Sequence, residues 1–160
     1  MMQQSLVTVE LVEAHNIHWN EDIKRERLTA ISDLLEHNVF VVKNAPEAGP
    51  YHLRLSIVDG RLQFDIHGIG GEALEDLRLP ISPFRGLIKE YFLVCEAYFS
   101  ATRRQHSGGL EAIDMGRRGL HNDGAELVKE RLAGRVEVDI ETARRLFTLI
   151  CVLNLRELAS

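Results

Sequence analysis

The strongest constraint on the fold is a pair of alternating segments joined by a two-residue turn. Residues 52–58 and 61–66 alternate between apolar and polar side chains, and Asp59-Gly60 lies between them. This dipeptide favours the type I′ turn of a β-hairpin, which needs positive φ at both central residues. The turn fixes the register and puts the apolar side chains on one face. The predicted pairs are Leu53 with Ile66, Leu55 with Phe64, Ile57 with Leu62 and, on the opposite face, the charge pair Arg54 with Asp65.

Other segments carry the periodicity of strands and helices. Alternating or continuously apolar runs predict strands at residues 7–11, 39–42 and 74–79. Apolar residues recur at helical spacing over residues 23–35, 84–99, 110–132 and 141–156. Ser82 is expected to cap the second helix, and Asp139 the last one after a short extended link at Val136 and Val138.

These elements predict a single α+β domain over residues 1–160. A small antiparallel sheet with one early helix would occupy most of residues 1–81, packed against three C-terminal helices in residues 82–160. The last helix is apolar nearly all round. Such a helix is either buried centrally or covered by a partner, so the alternative is a homo-oligomer formed through this C-terminal helix.

The charge and hydropathy of the chain argue against several classes of function. The formal net charge is −5, an acidic balance that does not suit a nucleic-acid binder or a protein of acidic membrane surfaces. No basic segment followed by an apolar run begins the chain, and no apolar run reaches the ~18 residues of a membrane span. A cytoplasmic location is therefore expected, with no nucleic acid and no membrane as partner.

The cysteines and histidines do not predict a cofactor. Cys95 and Cys151 lie within apolar helical segments and are expected to be core thiols. His15 and His18 have metal-ligand spacing, but two ligands without a third are weak evidence for a metal. We therefore predict neither a metal site nor a bound cofactor.

Residues 113–124 form the stretch richest in chemically active side chains. On a helix that turns about 100° per residue, Asp114, Arg118 and His121 cluster on one side, with Arg117 at the edge. Arginines supply fork-shaped donors for an anion, His121 can exchange a proton near neutral pH, and Asp114 can orient either one. The hypothesis is an anion site that binds through Arg117, Arg118, Asn122 and Asp123, with His121 and Asp114 as catalytic candidates.

A purely structural alternative remains open for the same residues. Asp114 and Arg118 form an (i, i+4) pair of the favourable order, which is typical of a solvated helix face. Arg144 lies near the N-terminus of the last helix, where a positive charge is electrostatically unfavourable. It is expected either to contribute to the anion site or to pair with Asp114 or Asp123.

Three glycines in the same stretch need a reason. Glycine costs about 1 kcal/mol relative to alanine at each helical position, so Gly116, Gly119 and Gly124 together cost roughly 3 kcal/mol. One alternative is close approach to a neighbouring helix at Gly116 and Gly124. The other is a helix break between Gly119 and Gly124, with Asn122 or Asp123 capping a new helix.

Three runs of the sequence carry a family resemblance. They are residues 90–98, 112–122 and 144–153, and together they resemble a bacterial family, number 0262 of the uncharacterised protein family series. Gly49-Pro50-Tyr51 fits as well, so the resemblance covers most of the chain. Asp123 stands where the family pattern has Glu, and Asn154-Leu155 where it has His-Trp. The resemblance implies a cytoplasmic bacterial protein and carries no activity or catalytic residue.

Three functional hypotheses follow. The first is a small binding or regulatory protein that presents residues 113–124 to a protein partner or an anionic ligand. The alternative is an enzyme acting on a small anionic substrate, with His121 as acid and base. The third is an oligomer-building structural subunit.

Overall fold

The computed structural model of the chain describes residues 4–12, 21–103 and 110–154. Its strands are β1 (Leu6–Leu11), β2 (Phe40–Val42), β3 (Tyr51–Val58), β4 (Arg61–His67), β5 (Ala73–Pro80) and β6 (Val136–Val138). Its α-helices are α1 (Glu21–Glu36), α2 (Arg85–Arg103), α3 (Leu110–Leu132) and α4 (Ile140–Leu153), and a 3₁₀ turn at Ser82–Phe84 precedes α2. This mixture confirms the α+β class.

The hairpin of β3 and β4 has the predicted register throughout. Leu53 pairs with Ile66, Leu55 with Phe64 and Ile57 with Leu62. Asp59 and Gly60 have φ angles of 52° and 72°, as a type I′ turn requires. The turn and the alternation therefore fix the centre of the sheet.

The full sheet is larger than the hairpin and mixed in direction. Its strand order is β1-β3-β4-β5, and the predicted antiparallel pairing holds from β3 to β5. Strand β1 instead pairs with β3 in parallel. Parallel neighbours need a long crossover, and helix α1 lies in the connection between these two strands. A separate two-stranded antiparallel sheet joins β2 to β6.

The predicted placement of Arg54 opposite Asp65 is confirmed, but each of the two side chains forms its ion pair with another residue. Arg54 instead has its Nε 3.4 Å from Glu10 Oε2, because β1 places Glu10 directly beside it. The Asp65 carboxylate lies 2.9 Å from His67 Nε2, two residues along the same strand face. Each side chain of the predicted pair thus has a nearer partner of opposite charge.

The helical layer is organised around α4. This helix packs against β3 of the sheet and against α1 and α3, while α2 packs chiefly on α3. Large side chains from every layer are fully buried, among them Tyr51, Phe64, Leu34, Phe84, Tyr91 and Phe147. None of the described helices is long and apolar enough to cross a membrane.

Helix α4 is apolar nearly all round because it is buried within its own chain. Its residues Leu146, Phe147, Leu149, Ile150, Cys151 and Val152 are all buried. The first alternative for this helix, a central position in the core, is therefore what the structure shows. A homo-oligomer formed through the same helix stays a prediction.

The two helix starts differ in how well the capping residues were predicted. Asp139 caps α4 as expected, since its Oδ1 accepts a hydrogen bond of 2.9 Å from Thr142 N. Ser82 makes no capping hydrogen bond, so that prediction is wrong. The Phe84 N–H that it would bind is donated to the Ile81 carbonyl in the 3₁₀ turn.

Helix α3 runs unbroken through its three glycines. The predicted break between Gly119 and Gly124 is therefore wrong, and neither Asn122 nor Asp123 caps a helix. The prediction of close approach is right at Gly124, where an added Cβ would fall on the buried ring of Phe147. It is wrong at Gly116, where a Cβ would meet nothing within 4 Å, as at Gly119. Nothing in the structure explains glycine at these two positions.

Alanine substitutions should separate the three glycines. Gly119→Ala should raise the free energy of unfolding by up to about 1 kcal/mol, because alanine is the better helix former and the space is open. Gly124→Ala should lower it by about 1–3 kcal/mol, because overpacking against Phe147 outweighs the propensity gain. Urea unfolding followed by circular dichroism measures both. Equal stabilisation by the two variants would contradict the close packing at Gly124.

Candidate functional site

A cleft of about 410 Å³ lies between helices α1, α3 and α4. Below it is called the helical cleft. Five residues singled out in the sequence line it from α3, namely Asp114, Arg117, Arg118, His121 and Asn122. Their spacing of three, four and seven residues turns them to one side of the helix. Asp123, the remaining residue of the predicted set, is exposed and is not among the lining residues.

The close contact of α3 with α4 sets the geometry of the helical cleft. Phe147 packs its ring on Gly124, and the same ring lies 5.9 Å from the His121 ring, edge to face. The Tyr91 ring of α2 lies 5.8 Å from His121 on a similar edge contact. The His121 ring is thus packed between two aromatic rings, beside the arginines of α3 and α4 that line the cleft.

Arg117 is held by Glu26 of helix α1. Its Nη2 lies 2.7 Å from Glu26 Oε1, and the Glu26 side chain is only 14% exposed. The guanidinium also lies 5.0 Å from the centroid of the Tyr98 ring. Burial by itself lowers the pKa of Arg117, but the Glu26 carboxylate outweighs it and the pKa is raised. Arg117 therefore stays charged and binds α3 to α1.

Glu26 is a site residue that sequence reasoning missed. Its Oε1 also lies 3.4 Å from the Tyr91 hydroxyl, which donates to it. A signal was present, because Glu26 falls on the same stripe of α1 as the buried Ile23 and Ala30. A carboxylate on a buried stripe usually has a cationic partner.

Arg118 and Asp114 form the ion pair that the structural alternative predicted. The Arg118 Nη2 lies 3.0 Å from Asp114 Oδ2. The pair lies at the cleft and not on a separate face, since both residues line it. The Arg118 side chain is 77% exposed, so the pair adds at most a few tenths of a kcal/mol. Asp114 thus orients Arg118 and not His121.

Arg144 reaches the helical cleft from α4, as predicted, but with other partners. Its Nη1 donates to Glu141 Oε1 at 2.6 Å, and its Nη2 donates to Asn122 Oδ1. The predicted partners Asp114 and Asp123 are wrong, because Glu141 lies one turn earlier on the same helix and Asn122 faces Arg144 across α3 and α4. The Asn122 contact ties the two helices together at the cleft.

Arg145 joins the same side of the helical cleft and was not predicted as a site residue. Its Nε lies 3.8 Å from Asp33 Oδ2, and its Nη1 lies 3.5 Å from Glu141 Oε2. Both separations are long for charged partners. The Arg144-Arg145 pair near a helix N-terminus was the sequence signal that could have included it.

His121 has a defined tautomer. Its Nδ1 lies 2.8 Å from the Arg117 carbonyl oxygen, which can only accept, so Nδ1 carries the proton in the neutral ring. Nε2 is then the basic nitrogen. Burial lowers the pKa of His121 below its ordinary value. The hydrogen bond to the Arg117 carbonyl and the Glu26 charge oppose this shift, while the positive charges of Arg117 and Arg144 add to it. At neutral pH the ring is a proton acceptor.

The remaining residues singled out in the sequence are the two cysteines and the two histidines with metal-ligand spacing. Cys95 and Cys151 are buried, which confirms them as core thiols, and burial raises the pKa of Cys95 to about 12. His15 and His18 lie outside the described residues. Within the described ranges, no three His, Cys, Asp or Glu side chains are grouped as metal ligands.

These observations define the class of the protein, which is an α+β fold with an arginine-lined cleft between three helices. Residues 3–156 match the family described as Uncharacterised protein family (UPF0262), and the chain belongs to this family. This confirms the resemblance. No solved structure matches the chain.

Full-length bacterial relatives support the same membership. A UPF0262 protein of Paramagnetospirillum magneticum is 46% identical over 154 residues, which cover 96% of this chain and 98% of the relative. One of Phenylobacterium zucineum is 50% identical over 151 residues, covering 94% and 93%. One of Rhodospirillum rubrum is 49% identical over 151 residues, covering 94% and 92%.

The lowered pKa of His121 predicts a pH dependence of stability. The ring of the unfolded chain titrates at about pH 6.5, so protons bind the unfolded chain preferentially as the pH falls below that value. The stability that neutral His121 contributes above about pH 6.5 is therefore lost as pH falls towards its folded pKa. Between pH 7.5 and 5.0, urea unfolding should show the wild type losing stability relative to His121→Gln.

His67 offers a matched control of opposite sign. The Asp65 carboxylate raises the pKa of His67, with the Gly71 carbonyl adding to the effect. Its stabilising contribution is present at low pH and is lost as pH rises through the folded pKa. Relative to His67→Gln, the wild type should lose stability on going to higher pH. A proton NMR titration that placed the His121 pKa at or above the ordinary value would contradict the account.

Proposed function

We propose that this chain is a cytoplasmic protein that binds a small anionic ligand in the helical cleft. The observation that carries the proposal is the convergence of four arginines from α3 and α4 on one cleft. They are Arg117, Arg118, Arg144 and Arg145. Guanidinium groups match the geometry of carboxylates and phosphates better than any other side chain.

The carboxylates among the lining residues are compatible with anion binding. Asp114 holds Arg118 in place, but this exposed pair costs little to exchange for a ligand oxygen. Arg117 differs, because its partner Glu26 is nearly buried and separating them would leave an uncompensated charge. We assign ligand contacts to Arg118, Arg144 and Asn122, and a supporting role to Arg117.

The dimensions of the helical cleft favour a small molecule over a protein partner. Its volume of about 410 Å³ falls within the ~300–1,000 Å³ of ordinary ligand pockets. A protein partner would engage a broader and flatter surface. If the protein is regulatory, as the first hypothesis allows, then what it responds to is the bound small ligand.

Catalysis on the bound anion is the second candidate, and His121 is the observation that favours it. Its ring lines the cleft with Nδ1 engaged by a backbone carbonyl, so Nε2 is the nitrogen that could take a proton from a ligand. Chemical change of a bound ligand that ceases in His121→Gln, while binding persists, would support this candidate. Unchanged ligand in the wild type would remove it.

Charge-removing substitutions test the binding proposal. Isothermal titration with inorganic phosphate and with citrate should detect binding to the wild type that weakens as NaCl is raised. Arg118→Gln and Arg144→Gln should each reduce affinity about tenfold, because each removes a charge-assisted hydrogen bond. Arg131→Gln is the matched control, since Arg131 is an exposed arginine of α3 outside the cleft. Equal binding by all three variants, or no binding to the wild type, would contradict the proposal.

A further inference from the structure

The two sides of the helical cleft carry different chemistry. Helix α1 lines it with Glu26, Thr29 and Asp33, whose spacing of three and four residues places them along one face. These side chains present oxygen atoms. The opposite side carries the four arginines of α3 and α4 together with His121 and with Asp114, whose carboxylate is engaged by Arg118. A ligand that spans the cleft therefore meets acceptors at one end and donors at the other.

Asp33 is the open acceptor on the α1 side. Its nearest cationic atom is Arg145 Nε at 3.8 Å, beyond hydrogen-bond distance, and its side chain is 44% exposed. Within the described part of the chain, no residue donates a hydrogen bond to the Asp33 carboxylate or to the Thr29 hydroxyl. Glu26, in contrast, is already engaged by Arg117 and Tyr91.

We propose that the ligand of the helical cleft is an amine-bearing anion. Its anionic group lies against Arg118 and Arg144, and its ammonium group lies against Asp33 and the Thr29 hydroxyl. This inference rests on the proposed function and adds the chemical class of the ligand.

Charge balance favours this class over a simple anion. A ligand that is anionic along its whole length would place negative charge against Asp33, which Arg145 offsets only from 3.8 Å and without a hydrogen bond. A hydroxyl on the ligand would satisfy the same oxygens as a donor. An ammonium adds a charge-assisted hydrogen bond to the carboxylate and is therefore the stronger match.

Two probes that differ only in the ammonium test the inference. They are 2-aminoethyl phosphate and ethyl phosphate, titrated into the full chain at pH 7.5 and followed by calorimetry. The wild type should bind the amine-bearing probe about fivefold more tightly, the ratio expected for one partly exposed ion pair. Asp33→Asn should reduce the ratio to about one and leave the affinity for ethyl phosphate within about twofold.

Glu36→Gln is the matched control, because Glu36 is an exposed carboxylate of α1 that does not line the cleft. It should keep the fivefold ratio. Asp33→Ser is the second variant, used if Asp33→Asn does not fold by circular dichroism, and it should abolish the preference in the same way.

The outcomes separate this inference from the proposed function. Equal binding of the two probes by the wild type, or a preference that survives Asp33→Asn, overturns the amine-bearing class and leaves anion binding in place. Binding of neither probe by the folded wild type overturns the proposed function and this inference together.

Discussion

The packing of the Phe147 ring on Gly124 is the contact on which the helical part of the structure depends. Glycine at this position lets α3 approach α4 closely enough for the ring to occupy the space of a side chain. The same ring contacts His121 and Tyr91, so one interaction closes the core and positions the base of the cleft. The distance between the arginines of α3 and those of α4 follows from this contact.

The ion pairs of the helical cleft hold its helices together and also position the arginines that are proposed to bind the ligand. Glu26 and Arg117 connect α1 to α3 in a partly buried pair, which holds the third side of the cleft in place. Asp114 and Glu141 hold Arg118 and Arg144 in pairs that solvent and ligands can reach. Arginines positioned in this way lose less conformational entropy on binding an anion than free side chains would.

Short-range sequence patterns predicted the features that depend on neighbouring residues in the chain. The hairpin register followed from the Asp59-Gly60 turn and strand alternation, and the α3 side of the cleft followed from helical spacing. The direction of β1 did not follow, because alternation is the same in parallel and antiparallel strands. Asp33 and the partners of Arg144 were missed because the face that one helix turns to another depends on tertiary packing.

Anion binding at the helical cleft is the central claim, and NMR mapping tests it most directly. Inorganic phosphate titrated into ¹⁵N-labelled protein should shift the backbone and side-chain signals of Arg118, His121, Asn122 and Arg144 together. A second arginine-bearing hollow, at the hairpin end near Arg61 and Arg78, serves as the comparison site on the same molecule. Shifts centred on Arg61 and Arg78, or spread evenly over all arginines, would contradict the account.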